Sequence, residues 1–236
     1  MSSRVRLVIT DIDGTITRRR GDTLLSVHAM EAIRILESHG IVVSLASGNS
    51  LPVTVGVARY IGATGPVIAE NGCVVFDQGS METIHICEGR PPEELVRELA
   101  SLGLTPSWQN PYRLHDVAFH DPHREARLRM LVESIVAKYS GFKVIASGYA
   151  YHIAPVNASK AQGALVALRL LGLDRDSVLG VGDGENDLPL FDVVGYSAAP
   201  ADADPMVRER VDYVASKPGG EGFAEIARMV LEGVIP

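Results

Sequence analysis

Cysteine is almost missing from this 236-residue chain, which carries only Cys73 and Cys87. Two cysteines make no disulfide framework, and no Cys/His cluster has the spacing of a zinc site, so each reads as a small buried hydrophobe. A long apolar run is missing too. The run beside Arg4 and Arg6 is too short for a signal peptide or a membrane span. A cytoplasmic protein with no membrane partner is the expectation. Positive charge is not in excess either. The formal net charge of −7 excludes a nucleic-acid binder held by a general phosphate-neutralising surface. An anionic substrate must therefore be attracted locally, by a metal or a few placed cations. No internal repeat or low-complexity tract interrupts the chain. With 46% hydrophobic and 22% charged residues it is ordinarily globular, long enough for one large α/β domain or two modest ones.

What the chain does have begins at Val5. The apolar run from Val5 to Ile9 ends abruptly in Asp11-Ile12-Asp13-Gly14-Thr15. Such a run, rich in β-branched residues, reads as a strand buried on both faces of a parallel sheet. Ligands in such sheets bind beyond the carboxyl ends of the strands, where Asp11 and Asp13 fall. Two residues apart in extended chain, the two carboxylates point the same way and repel unless a cation lies between them. A pair of turn or cap aspartates is the plainer alternative. Arg18, Arg19 and Arg20 follow in a loop, able to steer an anion or simply solvated.

The alternation continues. A helix capped by Ser26 and ended by Gly40 leads to strand 41–46, which stops at Ser47-Gly48-Asn49-Ser50. A helix opening at Pro52 leads to strand 67–69, which stops at Glu70-Asn71-Gly72, and Val74–Phe76 starts a hairpin arm. This β-α-β-α-β order predicts a doubly wound, Rossmann-like parallel sheet. From about Met81 the pattern becomes half-exposed strands at 83–86, 116–120, 142–145 and 149–153, with amphipathic helices opening at Pro91-Pro92 and running from Arg124 to Tyr139. These predict an α+β module inserted over 82–154, leaving a core of 1–81 and 155–236. The core pattern resumes with the helix after Ser159-Lys160. Strand 178–181 then ends in Gly182-Asp183-Gly184-Glu185-Asn186-Asp187, and a helix over 223–231 closes the chain.

Four strand-end clusters thus meet at one sheet edge: Asp11 with Asp13, Ser47 with Gly48, Lys160, and Asp183 with Asp187. Singly, most of them have ordinary readings as caps, turns or a surface lysine. Together they form the donor set of a magnesium-assisted phosphoryl-transfer site. Carboxylates suit Mg²⁺, while a hydroxyl, backbone N–H groups and an ammonium suit phosphate oxygens.

These motifs, in this order, resemble the haloacid dehalogenase superfamily and specifically its phosphatase branch, over essentially the whole chain. The resemblance implies that Asp11 is a nucleophile forming an aspartyl-phosphate, and that Asp13 is the general acid and base. It implies Mg²⁺ at the Asp11 side chain, the Asp13 backbone carbonyl and Asp183, with Asp187 as a ligand or just behind one. Ser47, Gly48 and Lys160 would bind the phosphoryl group, and Asn186 would help orient the site. Lys160 is followed by Ala161 where relatives often carry glycine.

Spacing places the inserted module within this superfamily. Only 31 residues separate Thr15 from Ser47, whereas 112 separate Ser47 from Lys160. The insertion therefore resembles the α/β cap of the branch holding sugar phosphatases and archaeal phosphoglycolate phosphatases. Its short length and the Ser-Gly-Asn motif are most similar to the latter. The implied substrate is a small phosphorylated metabolite such as 2-phosphoglycolate. A sugar-phosphate phosphatase or a phosphomutase is the alternative on the same scaffold. A non-enzymatic receiver-type phospho-switch or a binding-only relative is the alternative from another class. A receiver, however, is shorter and resembles an aspartate ending the third strand, where this chain has Ala69-Glu70-Asn71. Arg90, Arg113, His115 and His152 are the module's candidates for contacting a substrate carboxylate.

Overall fold

The computed structural model describes residues 5–120, 126–148 and 150–235. Arg124 and Tyr149, where a helix and a strand are expected to start, lie outside the described residues. The first half of the core runs β1 (Leu7–Thr10), α1 (Val27–Ser38), β2 (Val42–Leu45), α2 (Leu51–Ile61), β3 (Val67–Ala69), β4 (Val74–Asp77) and β5 (Glu82–His85). The module follows with α3 (Glu93–Ala100), β6 (Thr105–Pro106), β7 (Val117–His120), α4 (Ala126–Val136), β8 (Phe142–Ala146) and β9 (Tyr151–Pro155). The core then resumes with α5 (Lys160–Leu171), β10 (Val178–Val181), α6 (Leu188–Phe191), β11 (Tyr196–Ala199), α7 (Pro205–Arg208), β12 (Tyr213–Val214) and α8 (Gly219–Leu231).

The fold is α/β, with a Rossmann-like parallel sheet and an inserted α+β module. The main sheet has the order β12-β11-β10-β1-β2, every pair parallel. Strand β3 continues it through a parallel bridge between Ala46 and Ile68 and the Ser47 N–H donated to the Ile68 carbonyl at 2.9 Å. Alternation along β1 explains the two layers. Val8 joins one core with Ile33 and Leu36 of α1 and Phe223 and Ile226 of α8. Leu7 and Ile9 face the opposite core, with Ala164 and Leu168 of α5 and Leu190 of α6. Helices on both faces leave the carboxyl edge of the strands as the open rim.

The inserted sheet, β6-β7-β9-β8, is antiparallel and buries one face under α3 and α4. Val117 and Phe119 of β7 and Ile153 of β9 pack there against Leu95, Leu99, Val132 and Val136. The alternate residues of those strands, among them His152 and Ala154, look the other way, toward the core.

Two expectations change. Glu82–His85, assigned by its alternation to the inserted module, pairs with β4, in the register Val74↔His85. That same register brings Cys73 and Cys87 to the open end of the hairpin, where they form a disulfide across a sequence separation of 14. Both are buried as expected, in a small cluster with Ala154 and Ala158, but neither is a free thiol. Counting cysteines could not reveal the pair. Following the hairpin out from Asp77-Gln78-Gly79 does.

Gly72, just before this hairpin, fixes how the core halves meet. Its φ is +88°, and a Cβ there would fall 1.9 Å from the Ser159 carbonyl oxygen, immediately before Lys160. Gly72→Ala should therefore lose about 2–4 kcal/mol in urea unfolding, from the left-handed backbone and the backbone clash together. A loss below about 1 kcal/mol would show that the two segments separate freely.

Candidate active site

The rim of the sheet gathers the predicted residues around one buried ammonium. Lys160 opens α5, whose N-cap Ser159 accepts from the Ala161 N–H, and its side chain is fully buried. Its Nζ lies 2.8 Å from Asp11 Oδ1 and 2.6 Å from Asp187 Oδ1. A carboxylate oxygen from each of Asp11, Asp183 and Asp187 lies within 4.8 Å of the others, all three residues buried. Burial alone would lower the lysine's pKa, yet Asp11 and Asp187 hold it well above its ordinary value. The Asp11 carboxyl is pushed well above the usual range by burial and by Asp187, Asp183 and Asp13, against the pull of Lys160. Burial and Asp187 raise Asp183 to about 7, opposed by Arg20, Lys160 and a hydrogen bond from Thr15.

Asp187 spends its oxygens inside the protein. Oδ1 meets Lys160, and Oδ2 accepts the N–H groups of Asp183 and Gly184 at 3.0 Å each. This carboxylate therefore shapes the loop and anchors the lysine. Asp183 is different. Oδ1 accepts from Thr15 at 3.1 Å, while buried Oδ2 receives no aligned hydrogen bond, although Arg20 Nε lies 2.6 Å away. Gly14, at φ +90°, makes room for it, since a Cβ there would fall 2.3 Å from Asp183 Oδ2. An under-coordinated buried oxygen beside the Asp11 carboxylate fits a hard divalent cation.

The remaining motif residues form the opposite wall. Asp13 Oδ2 accepts from Asn49 Nδ2 at 2.7 Å, and Ser47 Oγ accepts from the same amide at 3.0 Å and from the Asn49 N–H at 3.1 Å. Burial raises the Asp13 carboxyl, with Asn49, Lys160 and His152 pulling it down. Gly48 forms the floor. A Cβ on it would lie 3.0 Å from His152 Nε2 and 3.1 Å from Asn71 Nδ2. Asn186 donates to Asn71 Oδ1 at 3.2 Å, linking the fourth motif to the end of β3. All eight predicted residues thus lie around one rim.

Several neighbours escaped the sequence reading. Arg20 is no solvated loop residue. It pairs with Asp183 and grips Asp204 with its guanidinium. Asn71 sits at φ +53° where β3 ends, the same rim position that singled out Asp11. Gln109 of the module donates to Asn49 Oδ1 at 2.7 Å and accepts from the Ser50 N–H at 2.8 Å. No local pattern marks Gln109; only the docking of module on core gives it a partner.

The module's four candidates separate. Arg113 donates to the Gly48 carbonyl at 2.9 Å and to Asp116 at 2.8 Å, and Asp116 also holds His152 Nδ1 at 2.9 Å. Burial lowers the His152 pKa, with Asp116 opposing. Arg90 is occupied by the carbonyls of Arg113 and Asn110. His115 is occupied by His85 and the Gly89 carbonyl. The last two are structural.

The sequence model of the haloacid dehalogenase-like hydrolase family matches residues 8–101 and 108–226. This chain belongs to the haloacid dehalogenase-like hydrolases. Within that family it is 43% identical to a phosphoglycolate phosphatase of Aeropyrum pernix, over 99% of this chain and 96% of the relative. It is 38% identical to phosphoglycolate phosphatase 1 of Saccharolobus solfataricus, over 97% of each. Among solved structures, a Thermoplasma acidophilum protein superposes with a TM-score of 0.86 at 28% identity, covering 96% of this chain and 98% of that one. The fold is also that of a Synechocystis sucrose-phosphatase, at TM-score 0.71 and 18% identity, covering 98% of each. Family members generally use a divalent metal, which suits the carboxylate cluster of this hydrolase.

With Asp183 raised to about 7, the metal-free fold holds a proton there that the unfolded chain, at its ordinary value of 3.8, gives up. That contribution to stability is full below 3.8, declines as pH rises from there and is gone once pH has passed about 7. A cation takes the proton's place only on the ionised carboxylate. The rise in Tm on replacing EDTA with Mg²⁺ should therefore be small at pH 5.5 and grow as pH passes 7. A rise independent of pH would contradict this account of Asp183.

Proposed function

We propose that this hydrolase is a Mg²⁺-dependent phosphomonoesterase that converts 2-phosphoglycolate to glycolate and phosphate. The observation that carries the reading is the cluster of Asp11, Asp183 and Asp187 at the sheet rim, with buried Lys160 paired to Asp11 and Asp187. The names of the full-length relatives support the choice of substrate.

In this reading an Asp11 carboxylate oxygen attacks phosphorus and the bond to the glycolate oxygen breaks. Asp13 gives its proton to that oxygen as it leaves. A carboxyl raised by burial is suited to hold a proton near neutral pH. Asp13 then takes a proton from water, the water oxygen attacks the aspartyl-phosphate, and phosphate departs with Asp11 restored. The hydrogen bond from Asn49 keeps Asp13 aimed at the rim. Ser47, the Gly48 backbone and Lys160 bind the phosphoryl oxygens, Asn186 orients the Asn71 end of the site, and Asp187 holds Lys160. Asp11, the Asp13 carbonyl and Asp183 would hold Mg²⁺, which supplies positive charge to a site gathering anions. The module is the cap, and its clasp of Arg129 on Glu185, with bonds of 2.9 and 3.1 Å, closes it over the rim and excludes bulk water. The site is read as belonging to a cytoplasmic enzyme.

Phosphate release from a panel of 2-phosphoglycolate, sugar phosphates and an aryl phosphate, with and without Mg²⁺, tests this. Turnover should require Mg²⁺ and be led by phosphoglycolate. Asp11→Asn should abolish it, and Asp13→Asn should cut kcat by about 10²–10⁴-fold. Turnover led by a sugar phosphate would overturn the substrate, and undiminished Asp11→Asn activity would overturn the mechanism.

A further inference from the structure

A cavity of about 160 Å³ lies between the inserted sheet and the rim, lined by Lys143 and Ile145 of β8 and by Asn71, Lys160, Glu185 and Asn186. It is open to solvent on one side and has room for a small acid. It shares Lys160, Asn71 and Asn186 with the rim and so adjoins the place where a phosphate would be held.

The charge on its walls is one-sided. Phe142 and Val144 pack under the module's helices, so the alternate residue Lys143 projects toward the core. Among the described residues, the Lys143 ammonium has neither a hydrogen-bond nor an ion-pair partner. Partial burial holds its pKa below the ordinary lysine value. Glu185, the carboxylate on the same lining, is already answered by the guanidinium fork of Arg129. Asn71 adds a donor. Its Oδ1 accepts from Asn186, which fixes the amide, and its buried Nδ2 has no acceptor. A buried N–H without a partner is unfavourable enough to need an explanation. An unpaired ammonium and an unpaired amide N–H lining one space are complementary to an anionic oxygen group, and beside a site that already holds the phosphate that group is a carboxylate on the leaving group.

We propose that this cavity receives the carboxylate of the leaving group, with Lys143 as the cation that selects it and Asn71 Nδ2 as the donor that orients it. The proposal rests on the phosphomonoesterase reading and deepens it. Lys143 and Asn71 become specificity-determining residues, and phosphate esters whose leaving group carries a carboxylate are favoured over neutral sugar phosphates. The phosphoryl chemistry itself does not involve Lys143.

The test compares kcat and KM for 2-phosphoglycolate and its neutral isostere, 2-phosphoglycolamide, in the metal-loaded wild type and in Lys143→Met, Lys143→Arg and Asn71→Ala. Inhibition by glycolate is measured alongside. Lys143→Met should lower the ratio of kcat/KM for acid over amide by about tenfold or more, chiefly through KM. Glycolate inhibition should weaken in parallel, and Lys143→Arg should retain most of the preference. Asn71→Ala should weaken acid binding as well. An unchanged ratio in Lys143→Met, with phosphoglycolate still turned over by the wild type, would overturn the subsite and leave the activity standing. A wild type that prefers the amide, or a sugar phosphate, would overturn the subsite together with the substrate. A wild type that releases phosphate from no ester would overturn the phosphomonoesterase reading itself.

Discussion

A single buried ammonium holds the functional rim of this molecule together. Three carboxylates crowded into a volume from which water is excluded repel one another, and burial penalises each charge separately. Lys160 answers two of them directly, and Arg20 stands at the third. Much of the local architecture follows from keeping that lysine where it is. Ser159 caps its helix, Gly72 lets the β3–β4 turn press against the residue before it, and Asp187 is locked by two backbone N–H groups so that it meets the ammonium. The compensation is incomplete, as the raised pKa values of Asp11 and Asp183 show. A site left short of positive charge is ready for a cation and then for an anion such as a phosphate ester.

The parallel sheet supplies the geometry cheaply. Strands β1, β2, β3 and β10 all point the same way, so the residues that follow each of them arrive at one rim from distant parts of the sequence. The inserted sheet then roofs that rim. Its helix-covered face is apolar, while its core-facing side carries Lys143 and His152, the latter held by Asp116 just before β7. In the proposed mechanism this division separates the work. The rim handles phosphate and metal, and the roof reads what the phosphate is attached to.

The rim was legible in the sequence because its residues are local to strand ends. An apolar run that stops at two aspartates, or at Gly-Asp-Gly-Glu-Asn-Asp, announces both strand and site within a dozen residues. What depended on how distant segments dock was not legible. Gln109 has no motif, and its role at Asn49 exists only once the module sits on the core. Arg20 looked like one of three loop arginines until the fold brought Asp183 and Asp204 to it. The disulfide lies between these extremes, since the sequence marks the start of the hairpin but the alternation of β5 matches the strands of the module, and only the β4–β5 register pairs Cys73 with Cys87. Asn71 could have been found by the strand-end argument already applied to its neighbours.

The central claim is that the Asp11 carboxylate, freed from competition by Lys160 and a metal, carries the phosphoryl group. Acid-quenching the enzyme during turnover of 2-phosphoglycolate with Mg²⁺, followed by peptide mass spectrometry, tests it most directly. The account predicts one added phosphoryl mass, base-labile as an acyl phosphate is, on the peptide containing Asp11 and nowhere else. Active turnover with the label on another residue, or with oxygen from labelled water entering phosphate while Asp11 is Asn, would contradict it.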